Sequence, residues 1–234
     1  MGLLHDFKLY RHSRGFGIHS PFAFSFVCNV LCERLPYYAY DYLRDVRQAV
    51  LESAPRGRHR VISLKSAKLL FRITNRFAPR QLLQVGANYG VSAASMMSVS
   101  AQSRLWLYEP HLEKCPEVAQ VLEPFLDYID CYNELPAALA DYDAATCSSG
   151  SDPYVLVNSI GGDDDSAKLL AYLKKVFEGS GVVILRNLVR DSGMSSLWQQ
   201  CRSALTHGHT YTNGKTAVIV ATPKLPLQHF ELRF

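Results

Sequence analysis

An apolar run that leads into a glycine-rich turn constrains this chain more than any other feature. Leu82 to Gly86 reads as an apolar strand, the turn that follows it contains a second glycine, Gly90, and small side chains then continue as a helix. Glycine lets the backbone turn sharply and approach a ligand closely, and the free N–H groups at a helix start point towards polar groups of that ligand. The stretch therefore predicts a strand, a turn and a helix that together form a nucleotide-type cradle.

A carboxylate follows at the spacing that a nucleotide site requires. Arg104 to Tyr108 reads as the next strand, and this strand ends at Glu109. In a doubly wound sheet, an acid at the tip of the second strand, about twenty residues beyond the glycines, accepts hydrogen bonds from both hydroxyls of a ribose. Glycine turns alone often serve only chain geometry, so the acid is what favours a binding site over a purely structural turn.

The rest of the chain alternates strands with helices. Further strands are expected near residues 128–132, at 154–158 and at 182–185, with helices between them. Such alternation is typical of a parallel sheet covered by helices on both faces. Residues 211–221 read instead as a hairpin around Asn213 and Gly214, which predicts an antiparallel end of the sheet. The alternating apolar residues Phe230, Leu232 and Phe234 predict one more extended segment.

The first sixty residues read as an aromatic-rich helical extension. Ser20 and Pro21 form the N-cap and first-turn pair of a helix from Phe22 to Glu33, and a second helix is expected at about 38–53. We therefore predict an N-terminal helical extension at residues 1–60 and an α/β domain at residues 61–234. Two roles for the aromatic residues remain open: a lid over the carboxyl ends of the strands, and packing against outer helices or a second subunit.

Composition excludes some classes of protein and favours a cytoplasmic location. The hydrophobic content of 48% suffices for one core, but no run of about 18 apolar residues exists, so no membrane span is expected. The first residues lack the apolar stretch of a signal peptide. The six cysteines show no CxxC spacing and are expected to be reduced thiols.

Positive charge is concentrated in one part of the chain. Residues 54–80 contain no Asp or Glu, and a predicted helix there carries Lys65, Lys68, Arg72 and Arg76 on one face. This stripe indicates either a solvated helix face or a nucleic-acid surface. We favour the solvated face, because a net charge of +4 does not demand a polyanionic partner.

The glycine turn and its acid resemble a known enzyme family. Gly86-Ala87-x-x-Gly90-x-Ser92-Ala93 is similar to the first motif of the class I S-adenosylmethionine-dependent methyltransferases, and within them of the small O-methyltransferases of the catechol type. The resemblance covers about residues 61–221. It implies a Rossmann-like methyltransferase fold, with a mostly parallel seven-stranded sheet and a C-terminal antiparallel hairpin. Residues 15–22 and 228–230 also resemble segments of uncharacterised bacterial methyltransferase-like proteins.

The resemblance assigns roles along the carboxyl ends of the strands. It places the methionyl end of S-adenosylmethionine at Gly86, Ala87 and Gly90, with Ser92 offering donors to its carboxylate. Asn88, within the same turn, is also counted as cofactor-binding. Glu109 is expected to hold the ribose. Asn133 and Glu134 match the positions that grip the adenine edge, and Asn158 matches the position near the transferred methyl group.

Departures from the family pattern argue against a metal. The leading acid of the first motif is Gln84 in this chain. Catechol-type enzymes build a magnesium site from an Asp after strand four and an Asp-Asn pair after strand five, where this chain has Asn158 and Arg186-Asn187. Lost carboxylates and a permanent cation oppose a divalent metal, so we expect no metal site. Asp163, Asp164 and Asp165 are interpreted as helix N-terminal residues and not as a replacement site.

The sequence thus predicts a metal-independent S-adenosylmethionine-dependent methyltransferase whose acceptor, expected to be a small molecule, is not identified. The alternatives are a catalytically degenerate binding or scaffolding protein of the same fold and, with less support, an RNA methyltransferase. No general base stands out: His111 follows the ribose acid, and His207 and His209 lie before the hairpin. A homo-oligomer is compatible with these features.

Overall fold

The computed structural model describes residues 9–53, 61–114 and 116–234. The chain divides into two compact units. One is Leu35–Asn158, and the other contains the residues up to Arg34 together with Ser159–Phe234. The boundary expected between residues 60 and 61 adjoins a stretch outside the described residues, and it stays a prediction.

Strands and helices follow the predicted alternation. The α-helices are α1 (Pro21–Phe26), α2 (Ala39–Ser53), α3 (Leu64–Phe77), α4 (Val91–Met97), α5 (Pro116–Leu122), α6 (Leu135–Ser149), α7 (Asp163–Glu178) and α8 (Ser192–Ala204). The strands are β1 (Gln81–Val85), β2 (Arg104–Tyr108), β3 (Ile129–Tyr132), β4 (Tyr154–Val157), β5 (Gly181–Leu185), β6 (His209–Thr212), β7 (Ala217–Ala221) and β8 (Gln228–Glu231). A π-helical turn at Val27–Leu31 continues α1, and Ser20 caps α1 by accepting a hydrogen bond from the Ala23 N–H.

Four parallel strands form the sheet of the first unit, in the order β3-β2-β1-β4. β1 and β2 pair from Gln81 opposite Arg104 to Val85 opposite Tyr108. The interior of both strands is buried, as expected for parallel strands that helices cover on both faces. This register brings the carboxyl ends of all four strands to one edge of the sheet.

The basic stripe of α3 differs from a uniformly solvated face. Lys65 and Arg76 are exposed, but Arg72 is buried and donates a hydrogen bond of 3.1 Å to the Tyr40 hydroxyl. The Lys68 ammonium lies 4.5 Å from the centroid of the Tyr40 ring. Two of the four cations therefore contact Tyr40 in the first turn of α2, and the prediction of a solvated stripe is wrong for the buried Arg72.

The second unit contains the antiparallel end of the sheet, in the order β5-β7-β6-β8. β7 runs antiparallel to both β5 and β6, and the Asn213 side chain closes the hairpin by accepting hydrogen bonds from the N–H groups of Lys215 and Thr216. β8 pairs parallel with β6. The Rossmann-like fold with a C-terminal antiparallel hairpin is confirmed, and the two units have four strands each, one more in all than the seven expected, because the last extended segment pairs with β6.

Aromatic rings join the N-terminal helix of the second unit to its C-terminal strands. Phe26 packs against Tyr211 with ring centroids 4.9 Å apart, and Phe22 packs against His209 at 5.8 Å. Phe230 of β8 stacks on Tyr211 at 5.2 Å. These rings pack α1 against strands of its own unit, which is neither of the two roles left open for the N-terminal aromatic residues, and both of those roles stay predictions.

His209 is a buried titratable group of this aromatic cluster. Its Nδ1 lies 3.0 Å from the Tyr211 hydroxyl, and its Nε2 is buried with no partner among the described residues. The facing rings, Phe22 and Phe230, carry no charge. On β8, His229 and Glu231 alternate with Phe230 and so occupy the opposite face of the strand. Burial lowers the pKa of His209, because the cation would lose its hydration.

Acid is therefore expected to destabilise the protein partly through His209. The unfolded chain binds a proton near pH 6.5, and the folded chain binds it only at lower pH, so the free energy of unfolding is highest above about pH 6.5 and falls as the pH drops below it. The pKa of His229 is lowered too, by burial and then by Arg202, and contributes with the same sign. In urea unfolding, the free energy of unfolding of the His209→Phe variant is expected to fall less between neutral and acidic pH than that of the unaltered chain.

The slope of that loss is the readout, because His209→Phe also deprives the Tyr211 hydroxyl of its partner and changes stability at every pH. The matched control is Phe26→Leu, which loosens the same aromatic cluster without removing a titratable group. It should keep the slope of the unaltered chain. Equal slopes for all three proteins would contradict the role given to His209.

None of the helices in the described ranges combines the length and the apolar character that a membrane crossing requires.

Candidate functional site

The turn between β1 and α4 is built from residues in the left-handed backbone region. Gly86, Asn88 and Gly90 have φ values of 83°, 51° and 77°. A side chain on Gly90 would meet Val121, whose Cγ1 lies 3.0 Å from the position of an added Cβ. Both glycines are buried and Asn88 is half-buried. Glycine is therefore required at position 90 for conformation and for space.

Two amide side chains fix the carbonyl of this turn. Gln84 Nε2 donates to the Gly86 carbonyl oxygen at 3.0 Å and to Ser92 Oγ at 3.1 Å. Asn158 Nδ2 donates to the same two atoms, each at 2.9 Å. All three side chains are buried. The two amides thus hold one carbonyl and one hydroxyl between them, and the first residue of the turn is anchored to the ends of β1 and β4.

A carboxylate lies directly against the turn. Glu109 follows β2, and its Oε2 accepts a hydrogen bond of 2.9 Å from the Ala87 N–H. The other carboxylate oxygen, Oε1, has no hydrogen-bond partner among the residues that the structure describes. Glu109 is half-buried. The glycine turn and the acid predicted to act together are therefore adjacent in the structure.

The remaining predicted site residues lie at the same edge of the sheet. Asn133 and Glu134 follow β3, whose last residue, Tyr132, pairs with Tyr108 of β2. Both side chains are exposed. Asn158 follows β4, and its N–H donates to the Val85 carbonyl at 2.9 Å. The carboxyl ends of four adjacent parallel strands thus carry all nine predicted positions, which is where open α/β sheets bind their ligands. The individual roles of these residues stay predictions.

Sequence reasoning missed the joint action of Gln84, Ser92 and Asn158. Gln84 was noted only as a departure from an acid, and Ser92 only as a donor to a ligand. A signal was present, since Gln84 is a polar residue inside an otherwise apolar strand, and buried polar groups require partners. Its Oε1 is buried with no partner among the described residues.

Two sets of charged residues bear on the question of a metal site. Arg186 is buried, which lowers its pKa to about 10, so the guanidinium remains a cation at neutral pH. Asp163, Asp164 and Asp165 occupy the first turn of α7, and Asp164 forms an ion pair with Lys168. No group of three or more His, Cys, Asp or Glu side chains that could hold a metal ion occurs in the described part of the chain.

The histidines considered as bases are engaged elsewhere. His207 Nε2 lies 3.1 Å from the Gly179 carbonyl oxygen, and His209 is the buried group of the aromatic cluster in the second unit. His111 is exposed, with its Nδ1 3.8 Å from Glu113 Oε1. None of these contacts involves the glycine turn.

Solved O-methyltransferases share this fold. The O-methyltransferase TomG from Streptomyces achromogenes, solved in complex with S-adenosylmethionine, matches over 80% of this chain and 91% of its own, with a TM-score of 0.55 and 16% identity. The O-methyltransferase from Bacillus cereus, solved with S-adenosylhomocysteine, matches over 84% and 96%, with a TM-score of 0.54 and 14% identity. A methyltransferase from Geobacter sulfurreducens matches over 80% and 92%, with a TM-score of 0.55 and 14% identity.

No protein-family profile matches the chain, and no curated protein matches it either. The structural similarity, at identities of 14–16%, establishes the fold. The chain has the fold of the class I O-methyltransferases that the resemblance of its first motif predicted.

Proposed function

We propose that this chain is an S-adenosylmethionine-dependent methyltransferase that acts without a metal ion on a small-molecule acceptor. One observation carries the proposal: the Glu109 carboxylate lies against the glycine turn with one oxygen bonded to Ala87 and the other without a partner among the described residues. A carboxylate oxygen left over at the mouth of a nucleotide-type turn fits a ligand with a ribose.

The residues present fit the rest of that cofactor. Gly86, Ala87, Asn88 and Gly90 form a turn whose backbone a ligand can approach closely, and we assign the methionyl end to them. Asn133 and Glu134 are exposed at the neighbouring strand end, where the resemblance implies contact with the adenine. The cofactors in the TomG and Bacillus cereus enzymes, S-adenosylmethionine and S-adenosylhomocysteine, support the same assignment.

Gln84, Ser92 and Asn158 support the ligand-binding turn from the interior of the protein. Their hydrogen bonds hold the Gly86 carbonyl and leave the hydroxyl of Ser92 inside the protein. We assign them a positioning role that keeps the turn in its left-handed conformation before a ligand arrives. Such preorganisation lowers the entropy lost on binding.

Methyl transfer depends more on the orientation of the reactants than on reactive side chains of the protein. S-Adenosylmethionine supplies an activated methyl group when bound. The protein residues at the strand ends bind and orient it, which supplies much of the rate of a transfer between two aligned partners. We assign no general base, so acceptors that are nucleophilic at neutral pH suit this chain best.

Removal of divalent ions is expected to change neither cofactor affinity nor methyl-transfer activity. Arg186 is a cation at a position from which the catechol-type enzymes present a metal ligand, and Asn158 is bonded to the glycine turn. Affinity for S-adenosylhomocysteine should therefore be the same in EDTA and in magnesium chloride, and any methyl transfer should be equally indifferent. Activity that EDTA abolishes and magnesium restores would contradict metal independence.

Calorimetric titration of the full chain with S-adenosylmethionine and with S-adenosylhomocysteine tests the proposal itself. Saturable one-to-one binding of either compound supports it. Binding of neither would overturn it and would leave a methyltransferase fold without its cofactor.

A further inference from the structure

A surface near the N-terminus combines exposed aromatic rings with arginines. Tyr10, Phe16 and Phe24 are 44%, 55% and 49% exposed. The Arg14 guanidinium lies 4.6 Å from the Tyr10 ring centroid, and the Arg11 guanidinium lies 5.5 Å from the Phe16 ring centroid. We name these five residues the arginine-aromatic patch.

Phe24 belongs to the same surface because its ring lies over the backbone between the two arginine pairs. A Cβ added at Gly15 would come within 2.4 Å of the Phe24 ring. Gly15 has a φ of 83°, and its neighbours Arg14 and Phe16 each carry one of the cation–ring contacts. The Phe24 ring therefore lies beside the segment that carries both cation–ring contacts.

The patch is held by the fold. The Gly15 N–H donates to the His12 carbonyl and the Phe16 N–H donates to the Arg11 carbonyl, at 2.9 and 3.1 Å. Ser13 Oγ accepts a hydrogen bond of 2.7 Å from the Arg233 N–H, which ties this segment to the end of the chain. The rings are thus presented by an ordered backbone and not by a loose tail.

Charge identifies the kind of partner. Between Asp6 and Glu33 the sequence contains Lys8, Arg11 and Arg14 and no acidic residue. Such a surface attracts an anionic partner. Two of its rings are phenylalanines, which carry no polar atom, and each ring is about half exposed to solvent. The partner must therefore accept apolar rings and cations side by side.

We infer that the arginine-aromatic patch binds the surface of an anionic lipid bilayer. At a bilayer surface, aromatic rings enter the boundary of the acyl chains while arginines above them contact lipid phosphates. Single-stranded RNA also stacks on aromatic rings, but its backbone requires a track of several cations, and the patch holds two arginines. This inference does not depend on the proposed cofactor.

Vesicle sedimentation of the full chain tests it. We expect binding to vesicles that contain about one third phosphatidylglycerol, weak binding to phosphatidylcholine alone, and release at high salt. Arg11→Gln with Arg14→Gln should lower partitioning about 25-fold, since each basic residue near an anionic surface contributes about a fivefold factor. Phe16→Ser should lower it several-fold while leaving the salt dependence in place.

The matched control is Arg76→Gln with Arg80→Gln, which removes the same charge from exposed positions of the other unit. It should bind vesicles within about twofold of the unaltered chain. An equal loss in this control, or no binding to anionic vesicles, would overturn the inference. Two other results without vesicle binding would also overturn it. One is a complex with single-stranded RNA that depends on the arginine-aromatic patch, and the other is self-association that Phe16→Ser abolishes. Circular dichroism confirms that each variant is folded.

Discussion

Replacing Glu109 with alanine is expected to weaken binding of S-adenosylmethionine by about 1–3 kcal/mol, a loss of about five- to 150-fold in affinity. The reason is the carboxylate oxygen of Glu109 that has no hydrogen-bond partner among the described residues. Oε2 is committed to the Ala87 N–H, and Oε1 is available for charge-assisted hydrogen bonds to ribose hydroxyls. Isothermal titration calorimetry of the unaltered chain and the variant measures the difference.

The glutamine variant separates the charge from the contact within the protein. Glu109→Gln keeps an oxygen that can accept from the Ala87 N–H but loses the negative charge, so its affinity should lie between those of the alanine variant and the unaltered chain. Urea unfolding reports the stability of each variant without ligand. Unchanged affinity in a folded Glu109→Ala protein would remove the assignment of the ribose to the end of β2.

Local patterns predicted the first unit well. The runs of mostly apolar residues at β1, β2 and β4 are long enough to indicate buried parallel strands. Each of these strands begins and ends within about one residue of its predicted limits. The spacing between Gly90 and Glu109 follows from the same regularity. When two parallel strands pair in register, an acid just past the second strand must lie near the turn that follows the first.

Contacts between distant residues escaped prediction, because no local pattern encodes them. Asn158 reaches Ser92 across 66 positions of sequence, and Arg72 reaches Tyr40 across 32. Periodicity placed Arg72 on a basic stripe, but it carries no information about which hydroxyl approaches that stripe. The pairing of β8 with β6 is similar: alternation at residues 228–234 predicted an extended segment and could not name its partner strand.

The two amides beneath the glycine turn are expected to be strongly coupled. Gln84 and Asn158 donate to the same two acceptors, the Gly86 carbonyl and Ser92 Oγ. In Gln84→Met or Asn158→Leu, each acceptor keeps one amide donor, and the loss in the free energy of unfolding is moderate. In the double variant both buried acceptors lose their amide donors. The double variant should therefore be less stable than the sum of the single losses predicts, by about 1–3 kcal/mol.

A double-mutant cycle measured by urea unfolding isolates this coupling, because any other contact of Asn158 or Gln84 cancels between the single and double variants. The control cycle pairs Gln84→Met with Thr74→Val. Thr74 Oγ1 is buried and bonds to Leu70 and Tyr154, which take no part in the turn. That pair should be additive within about 0.5 kcal/mol. Additivity of Gln84→Met with Asn158→Leu as well would mean that the two amides do not share the Gly86 carbonyl and Ser92 hydroxyl in solution, and that the turn is held by its glycines alone.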